Sequence, residues 1–376
     1  MDENTAQVAV IDIPYSGLAV NRLRVSMKDK RVLVLIPHDV GEDNGITVRS
    51  KAVCDILNHK YRVVTLGSSS SYSVNVLVLF IDFVVWMLKL LYLIPQQGAD
   101  CIYCCADYFG CIVSHALSRV FGFRVVFEAH GIMSEENKAK NRPGIVIRGC
   151  SVIERFVVSR ADYVVALSSD ILEFYQKFNE NIELIPVLLD EKVYQKSSPK
   201  TADFKTIGLI GPFDMPANRH YLEFLYERIN EFDPRIQFRI IGKSAGKIAN
   251  QRVTYTGYIN SRDEYVAELA SLDALLVPAN LTTSGPLNKI LEAMASSVPV
   301  FVTPEGAHGL DYAENGKNIL IASIAELVAC VNLEVFDSAK SSLIGMNART
   351  MIEKRYSKTA NSARLTRVID ALLGES

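Results

Sequence analysis

The strongest constraint on the fold is an alternation of short Val- and Ile-rich segments with longer segments of helical character, which occurs in two blocks. The apolar segments of the first block are RVLVLIPHDV, YRVVTLG, DCIYCCA, RVVFEAHG and DYVVALS, and those of the second are TIGLIG, QFRIIG, VTYTG, ALLVPA, VPVFVT and NILIA. This alternation predicts parallel β-sheets covered by helices. Ligands of such sheets bind at the carboxyl ends of the strands.

The polar stretch KSSPKTADFK separates the two blocks and is interpreted as a linker. A chain of 376 residues is also too long for one ordinary core. We therefore predict an α/β protein with two domains of similar size. The predicted parts are an N-terminal extension (1–30), a first domain (31–198), a second domain (199–355) and a C-terminal helix (356–376) that packs across the domains.

The net charge of −2 excludes a general affinity for nucleic acid. The seven cysteines are odd in number and no secretory signal leads the chain, which favours a reduced, cytoplasmic setting. The cluster CIYCCADYFGC lacks the spacing of a zinc site. Its cysteines are expected to pack in a strand and the helix after it, and we expect no metal and no other cofactor.

Residues 74–96, VNVLVLFIDFVVWMLKLLYLIPQ, are apolar enough to suggest a transmembrane helix. Asp82 and Lys89 argue against it, since each costs about 2.5–3.5 kcal/mol at the centre of a spanning helix. Polar residues recur at every seventh position, which gives a helix with one thin polar stripe. Two interpretations stay open. The helix is buried between the sheet and its neighbours, or it lies in a membrane surface and forms an apolar wall for a lipid-tailed substrate.

A basic segment follows at 138–160, where six Lys and Arg residues accompany one acid, Glu154, for a local charge of +5. Such a cluster near an apolar helix binds anionic lipid head groups. The alternative is an ordinary solvated helix face.

The candidate chemistry lies in SGPLNKILEAMASSVPVFVTPEGAHGL, residues 284–310. Gly285 and Pro286 form a turn into a helix, whose first N–H groups and positive dipole suit a phosphate. Lys289 and Glu292 are three residues apart and share one helix face. A carboxylate at this position can accept two hydrogen bonds from a ribose diol, and a surface ion pair is the alternative interpretation.

This stretch resembles the donor-site signature of the family four retaining glycosyltransferases (glycosyl transferases group 1), in the subgroup with G-x-x-x-K-I-L-E-A-x-A. Other segments resemble the same family in the same order. They are RVLVLIPHDVGEDNGITVRSKAVCDIL (first strand, glycine loop and helix), FEAHG (a His beside the reacting sugar), RADYVVALSSDILEFYQKF (before the linker) and IGLIGPFDMPANRHYLEFL (start of the C-terminal domain). The resemblance runs from Arg31 to the end of the chain and implies the GT-B fold, with two Rossmann-like domains facing across a cleft.

The resemblance further implies a retaining glycosyltransferase of the hexosyltransferase class. Such an enzyme moves a sugar from a nucleotide-diphosphate donor to a glycan or lipid-linked acceptor by front-face attack, without a covalent intermediate. The apolar and basic segments favour a membrane-borne acceptor and work at the cytoplasmic face of a membrane, with peripheral contact through 74–96 and 138–160.

Functional residues follow from the same resemblance. The implied catalytic residues are His130, beside the anomeric carbon, and Glu292, on the ribose hydroxyls. The implied donor-binding residues are Gly45, Ile46, Gly257, Tyr258, Ser284, Gly285, Pro286, Leu287, Lys289 and Glu292. Glu128, two residues before His130, is interpreted as a structural partner.

The chain departs from the family pattern at three places. The glycine loop reads Asn44-Gly45-Ile46, with one glycine where many members have two. Ser284 stands where members often have a second Glu that contacts the donor sugar, so the sugar stays open. Asp214 and Pro216 stand where many members offer Arg or Lys to the diphosphate, and Arg219 is a candidate substitute.

These departures keep one alternative open, a degenerate GT-B protein that binds a sugar nucleotide and acts as a partner subunit. A sugar-nucleotide epimerase is disfavoured, because the additional acidic and His residues of its cleft are not found. An NAD dehydrogenase is disfavoured because no G-x-G-x-x-G follows the first strand of either domain.

Overall fold

The computed structural model of the chain describes residues 9–11, 20–22, 30–36, 45–67, 76–194, 203–214, 216–243, 246 and 248–374. The chain divides into two compact units. The N-terminal unit comprises Met1–Leu188 and Asn361–Ser376, and the C-terminal unit comprises Leu189–Ala360. Each is an α/β unit around one sheet, so the predicted fold class is confirmed.

Within the described residues, the sheet of the N-terminal unit has eight strands in the order β1-β2-β4-β3-β5-β6-β7-β8. The strands are β1 (Ala9–Ile11), β2 (Val20–Arg22), β3 (Arg31–Ile36), β4 (Arg62–Gly67), β5 (Cys101–Cys105), β6 (Arg124–Ala129), β7 (Tyr163–Ala166) and β8 (Ile182–Leu184). The six strands from β3 to β8 are parallel. Two segments of the predicted N-terminal extension, β1 and β2, pair antiparallel at the edge beside β4, so they belong to the sheet.

Helices cover both faces of this sheet. The described helices of the unit are α1 (Gly45–Asn58), α2 (Val76–Gln97), α3 (Tyr108–Phe121), α4 (Met133–Ala139), α5 (Gly144–Arg160), α6 (Ser169–Tyr175) and the C-terminal α13 (Lys358–Leu373). On one face α1 and α13 share a buried core with alternate strand residues such as Val34 and Tyr103. On the other face Tyr108 of α3 packs on Phe127 of β6, with ring centroids 4.8 Å apart. Helix α3 also packs on α2 and α5, so these three helices form one layer.

In its described residues the C-terminal unit has a six-stranded parallel sheet with the order β11-β10-β9-β12-β13-β14. Its strands are β9 (Lys205–Ile210), β10 (Ile236–Ile241), β11 (Val253–Gly257), β12 (Ala274–Val277), β13 (Val300–Val302) and β14 (Leu320–Ile321). Its helices are α7 (Pro216–Arg228), α8 (Arg262–Ala270), α9 (Asn288–Ala295), α10 (Pro304–Ala307), α11 (Leu327–Glu334) and α12 (Ser338–Met351). All six strands expected in the second block are present.

The division into units differs from the predicted boundaries at 198/199 and 355/356. Residues from Leu189 onward already bond to the C-terminal unit, since the Leu189 amide donates to the Tyr356 carbonyl. Arg349 donates to the Tyr194 carbonyl, 3.0 Å away. The end of the chain belongs to the N-terminal unit, where Leu365, Val368 and Ile369 of α13 are buried in its core.

Two sequence predictions about local structure are confirmed. The apolar stretch at 74–96 forms a helix, α2, and no helix in the described ranges has the length and apolar character needed to cross a membrane. The cysteine cluster packs in β5 and α3, and all seven cysteines are free thiols. No group of His, Cys, Asp and Glu residues within the described ranges has the arrangement of a metal site.

Candidate functional site

The candidate donor site lies in the C-terminal unit, where the chain leaves β12 and enters α9. Ser284 and Gly285 of this loop are buried, and Leu287 occupies the N-cap position of α9. Leu287 has no side chain that can accept a hydrogen bond, so it leaves the first N–H groups of α9 without a side-chain cap. The predicted turn into a helix is confirmed, and α9 begins at Asn288, two residues after Pro286.

A second loop supports this turn from behind. Gly309 has φ +78°, and a Cβ built on it would lie 2.8 Å from the Gly285 carbonyl carbon and 3.0 Å from the Pro286 nitrogen. His308 Nδ1 lies 2.9 Å from the Thr283 carbonyl, and the Thr283 hydroxyl donates to the Gly285 carbonyl at 2.8 Å. The Gly-rich end of residues 284–310 thus fixes the backbone of residues 283–286.

We predict that Gly309→Ala lowers the free energy of unfolding by about 1–2 kcal/mol, because an L-residue is strained at positive φ. The added methyl also presses on the Gly285 backbone, so affinity for a ligand of this loop should fall. Chemical denaturation and titration with UDP measure the two effects. Gly316→Ala is the matched control, since Gly316 has φ +74° but no atom within 4 Å of the added Cβ. Equal losses of affinity in the two variants would contradict the supporting role of Gly309.

Glu292 is 8% exposed and is held by three protein donors. Its Oε1 accepts hydrogen bonds from Arg262 Nη2 at 2.8 Å and from the Tyr194 hydroxyl at 3.2 Å. Its Oε2 accepts one from the Tyr265 hydroxyl at 2.7 Å. Arg262 also donates to the Tyr194 hydroxyl and stacks over the rings of Tyr194 and Tyr265, with its Cζ 5.3 and 5.2 Å from their centroids.

These three partners were not found from the sequence. Arg262 and Tyr265 lie on the first turn of α8, three residues apart, behind a Ser261 N-cap. That spacing places both side chains on one helix face but does not show which carboxylate they contact. A carboxylate has about four acceptor positions and three are occupied here. A diol that donates two hydrogen bonds to Glu292 therefore has to displace a partner, and Tyr194 holds the longest bond.

Lys289 lies on the same helix as Glu292, and the resemblance implied it as the positively charged donor-binding residue. Its Nζ donates to Asn218 Oδ1 at 2.9 Å and lies 4.6 Å from the centroid of the Tyr221 ring. Burial lowers the pKa of Lys289 to about 7, against the opposing effect of Glu292. The group is therefore only partly charged at neutral pH. Arg219, the candidate substitute, is exposed, and its Nη2 lies 3.5 Å from the Asp214 carbonyl.

The remaining donor-binding candidates fall into two places. Gly257 ends β11 with φ +72°, its carbonyl accepts from the Gly242 amide at 3.0 Å, and Tyr258 beyond it is 60% exposed. These residues stand at the carboxyl end of a strand, as predicted. Gly45 and Ile46 begin α1 in the N-terminal unit, and their side chains lie outside the described residues.

His130 follows β6 in the N-terminal unit, at the carboxyl end of the strand. Its Nε2 lies 2.7 Å from Oε1 of Glu128, which is fully buried. Glu128 in turn pairs with the buried Arg49, whose Nη2 is 2.7 Å from Oε2. The interpretation of Glu128 as a partner of His130 is therefore confirmed, whereas Arg49 was not found from the sequence.

Comparisons with known proteins agree with this architecture. The family model of glycosyl transferases group 1 matches residues 204–333, which include β9 to β14 and α9. No curated protein sequence matches the chain. The sucrose-phosphate synthase of Thermosynechococcus elongatus has a similar structure, with a TM-score of 0.76 at 15% identity over 92% of this chain and 100% of that one.

Two further solved structures are similar over most of their length. Alr3699/HepE of Anabaena, in complex with UDP-glucose, gives a TM-score of 0.66 at 16% identity over 90% of this chain and 99% of that one. The lipopolysaccharide outer core galactosyltransferase WaaB, in its apo form, gives a TM-score of 0.65 at 16% identity over 91% of this chain and 99% of that one. At such identities these similarities concern the fold. The stretch that matches the group 1 model carries Glu292, and the two Rossmann-like units have the GT-B fold of these solved structures.

Proposed function

We propose that the protein transfers a sugar from a UDP-sugar to a lipid-linked acceptor at the cytoplasmic face of a membrane, with retention of configuration. The observation that carries the donor half is the loop–helix site around Glu292. It combines a buried glycine turn, uncapped amides and a carboxylate on one short segment. Alr3699/HepE, which shares the fold, is known in complexes with UDP and with UDP-glucose, and this supports UDP as the carrier.

In the proposed donor complex, the backbone N–H groups of Gly285, Leu287 and the start of α9 hold the diphosphate, and Pro286, which has no N–H, shapes the turn. Lys289 adds a positive charge, and the buried Ser284 lies at the head of the loop. Glu292 binds the ribose hydroxyls after Tyr194 has moved aside, while Arg262 continues to donate to its Oε1. Gly257 and Tyr258 contact the base, and Gly45 and Ile46 contact the phosphates.

The proposed reaction requires little covalent chemistry from the protein. The bond between the sugar and the diphosphate is already activated, so the site stabilises the departing negative charge and orients the acceptor hydroxyl. Attack on the face from which the diphosphate leaves retains configuration without a protein nucleophile. His130 lines the sugar beside the anomeric carbon.

The donor proposal is tested by a thermal-shift and calorimetric comparison of UDP, GDP and ADP. A ligand at 100 times its Kd adds about 2.7 kcal/mol to the stability of the folded protein. We expect UDP to give the largest shift, and UDP-sugars to be turned over. A flat response to all three nucleotides would contradict a nucleotide-sugar donor.

One alternative has structural support, a partner subunit that binds a sugar nucleotide without turnover. Glu292 is already satisfied by three protein donors, and Ser284 replaces the acid that often accompanies it. Glu292→Gln separates the two functions. The enzyme loses turnover in this variant, whereas a partner subunit keeps the activity of its complex.

The membrane half of the proposal rests on the helix layer α2–α3–α5. Its outward side carries large apolar side chains, here named the outer apolar face: Val84, Val85, Leu88, Leu91, Tyr92, Val120, Phe121, Ile145, Val146, Val152 and Phe156. Four of them are more than half exposed on α2 and α5, namely Leu88 (60%), Tyr92 (70%), Ile145 (82%) and Val152 (68%). Side chains such as Trp86 and Leu90 are buried on the other side of α2, so this helix is apolar on both sides.

The charges around α5 favour an anionic lipid surface as the occupant of this face. The exposed charges of α5 are Arg148, Arg155 and Arg160, while its acid, Glu154, is buried. The lysines at 138 and 140 contribute less than expected, because they pair with the glutamates at 135 and 136 on α4. Arginines beside exposed apolar side chains suit the interface of an anionic bilayer.

We expect the protein to sediment with vesicles of phosphatidylcholine and phosphatidylglycerol, more weakly in high salt, and not with phosphatidylcholine alone. The double variant Ile145→Asp/Val152→Asp should bind at least about tenfold more weakly, since each apolar side chain loses its transfer into the interface. Leu333→Asp, on the C-terminal unit and 75% exposed, is the matched control. Self-association without vesicles that the double variant abolishes would assign the face to a second copy instead.

A further inference from the structure

Behind His130 lies a buried ion pair that the proposed reaction does not yet use. Glu128 Oε2 accepts hydrogen bonds from Arg49 Nε at 3.0 Å, Arg49 Nη2 at 2.7 Å and the Tyr103 hydroxyl at 2.5 Å. Burial opposes ionisation, but the charge of Arg49 and the hydrogen bond of His130 hold the pKa of Glu128 below its ordinary value. Glu128 is therefore a carboxylate, and its Oε2 is saturated.

The other oxygen, Oε1, has His130 Nε2 as its partner at 2.7 Å. An ionised carboxylate can only accept, so Nε2 has to carry the hydrogen. In a neutral imidazole Nδ1 then carries a lone pair. Nδ1 has no hydrogen-bond partner among the described residues, and the side chain of His130 is 18% exposed. Nδ1 is thus the ring nitrogen left for a ligand.

Arg49 also ties three segments of the chain together. It lies on α1, one turn after Gly45 and Ile46, so it is fixed to the segment that the family resemblance places over the phosphates. Its Nη2 donates to the Ile185 carbonyl at 3.3 Å and its Nη1 to the Pro186 carbonyl at 2.5 Å. A single buried side chain therefore sets α1 relative to β6, the strand that carries Glu128 and leads into His130.

We propose that Glu128, Arg49 and Tyr103 are positioning residues that hold His130 in the Nε2–H tautomer, with Nδ1 accepting a hydrogen bond from a hydroxyl of the transferred sugar. The role in transfer rests on the proposed function, whereas the tautomer does not. A purely architectural ion pair would clamp α1 to the sheet and leave turnover insensitive to the tautomer. The two roles are therefore separable by experiment.

The first experiment needs no turnover. In protein labelled with ¹⁵N-histidine, with the His130 signals assigned from His130→Asn, the hydrogen should reside on Nε2 and Nδ1 should be bare. In Glu128→Gln the side-chain amide can donate to Nε2, so the hydrogen should move to Nδ1. A wild-type His130 with hydrogen on Nδ1 would overturn the proposal, even in a fully active enzyme.

The second experiment measures steady-state transfer. Glu128→Gln should lower kcat about 100-fold, the order expected when a reacting group is misplaced, while the Kd of UDP stays within a factor of two of wild type. Tyr103→Phe keeps the ion pair and the tautomer, so its kcat should fall less than about fivefold, the loss of one hydrogen bond. An unchanged kcat in a folded Glu128→Gln protein would overturn the proposal.

Controls separate folding and donor binding from positioning. Glu183→Gln removes a partly exposed carboxylate that pairs with Arg364 at 2.9 Å in the same unit, and should change neither the His130 signals nor kcat. If Glu128→Gln unfolds, the tautomer in the wild-type spectrum still decides the outcome. If the wild type shows no transfer at all, the proposed function fails while the tautomer assignment is still tested.

Discussion

Glu292→Gln should weaken UDP binding about 100-fold and lower turnover by at least the same factor. In the wild type two ribose hydroxyls donate to a charged acceptor, and each such hydrogen bond is worth about 1.5–3 kcal/mol. In the variant one oxygen becomes an NH₂ group, which cannot accept, and the other loses its charge. The amide also faces Arg262 and Tyr265, which donate to both oxygens of the native carboxylate. Isothermal titration with UDP and a transfer assay measure the two effects.

A comparison of UDP with 2′-deoxy-UDP makes this test specific for the ribose contact. The wild type should prefer UDP by about tenfold or more, the value of one hydrogen bond to a carboxylate. In Glu292→Gln this preference should fall well below the wild-type value, because a neutral amide replaces the charged acceptor of the 2′-hydroxyl. Glu268→Gln is the matched control, since Glu268 is a partly buried acid of the same unit that pairs with Arg239. Equal discrimination in Glu292→Gln and wild type would remove Glu292 from the ribose.

The architecture was predictable because it depends on local periodicity. Strand segments such as RVLVLI and VPVFV are short, apolar and bounded by turn residues, and each became a strand between helices. The helical stretch at 74–96 was predictable for the same reason. The side of this helix that meets solvent was not predictable, since its sequence is apolar everywhere except for one thin polar stripe.

Only the part of the candidate site whose residues are close together in the sequence was predictable. Ser284 to Glu292 lie on one loop and helix, so their order fixes their proximity. Arg262, Tyr194 and Arg49 reach their carboxylates across sequence separations of 30, 98 and 79 residues. No periodic pattern connects such positions, and the folded sheets alone bring them together. The unit boundary at Leu189 has the same origin, because its amide bonds to Tyr356.

Lys289→Met should lower the affinity for UDP-glucose about 10- to 100-fold at pH 6.5, the value of one hydrogen bond from a charged donor. In the free protein the pKa of Lys289 is about 7, held down by burial. A bound diphosphate favours the ammonium form and raises this pKa. Binding should therefore take up a proton, and wild-type affinity should fall as the pH rises from 7 towards 9. The variant should show neither effect.

The pH dependence can be assigned to Lys289, because its neighbours Asn218, Tyr221 and His220 do not change charge between pH 7 and 9. Asn218 does not titrate, and burial raises the pKa of Tyr221 to about 12, outside the range. Burial lowers the pKa of His220, whose Nε2 lies 2.8 Å from the Pro278 carbonyl, so it is neutral above pH 7. Calorimetry at pH 7.5 in two buffers of different ionisation enthalpy counts the protons taken up. Lys317→Met, which removes an exposed partner of Glu314, is the control.

The contribution of Lys289 to the free energy of unfolding should rise with pH, whereas the affinity for the donor should fall. The folded pKa of Lys289, about 7, lies below the unfolded value of about 10.4, so the unfolded chain binds more protons between these limits. The contribution of Lys289 to the free energy of unfolding therefore rises with pH from 7 to 10, and Lys289→Met should flatten that rise while leaving the protein at least as stable at pH 7. A variant that loses both donor affinity and stability at pH 7 would show that Lys289 serves packing rather than the diphosphate.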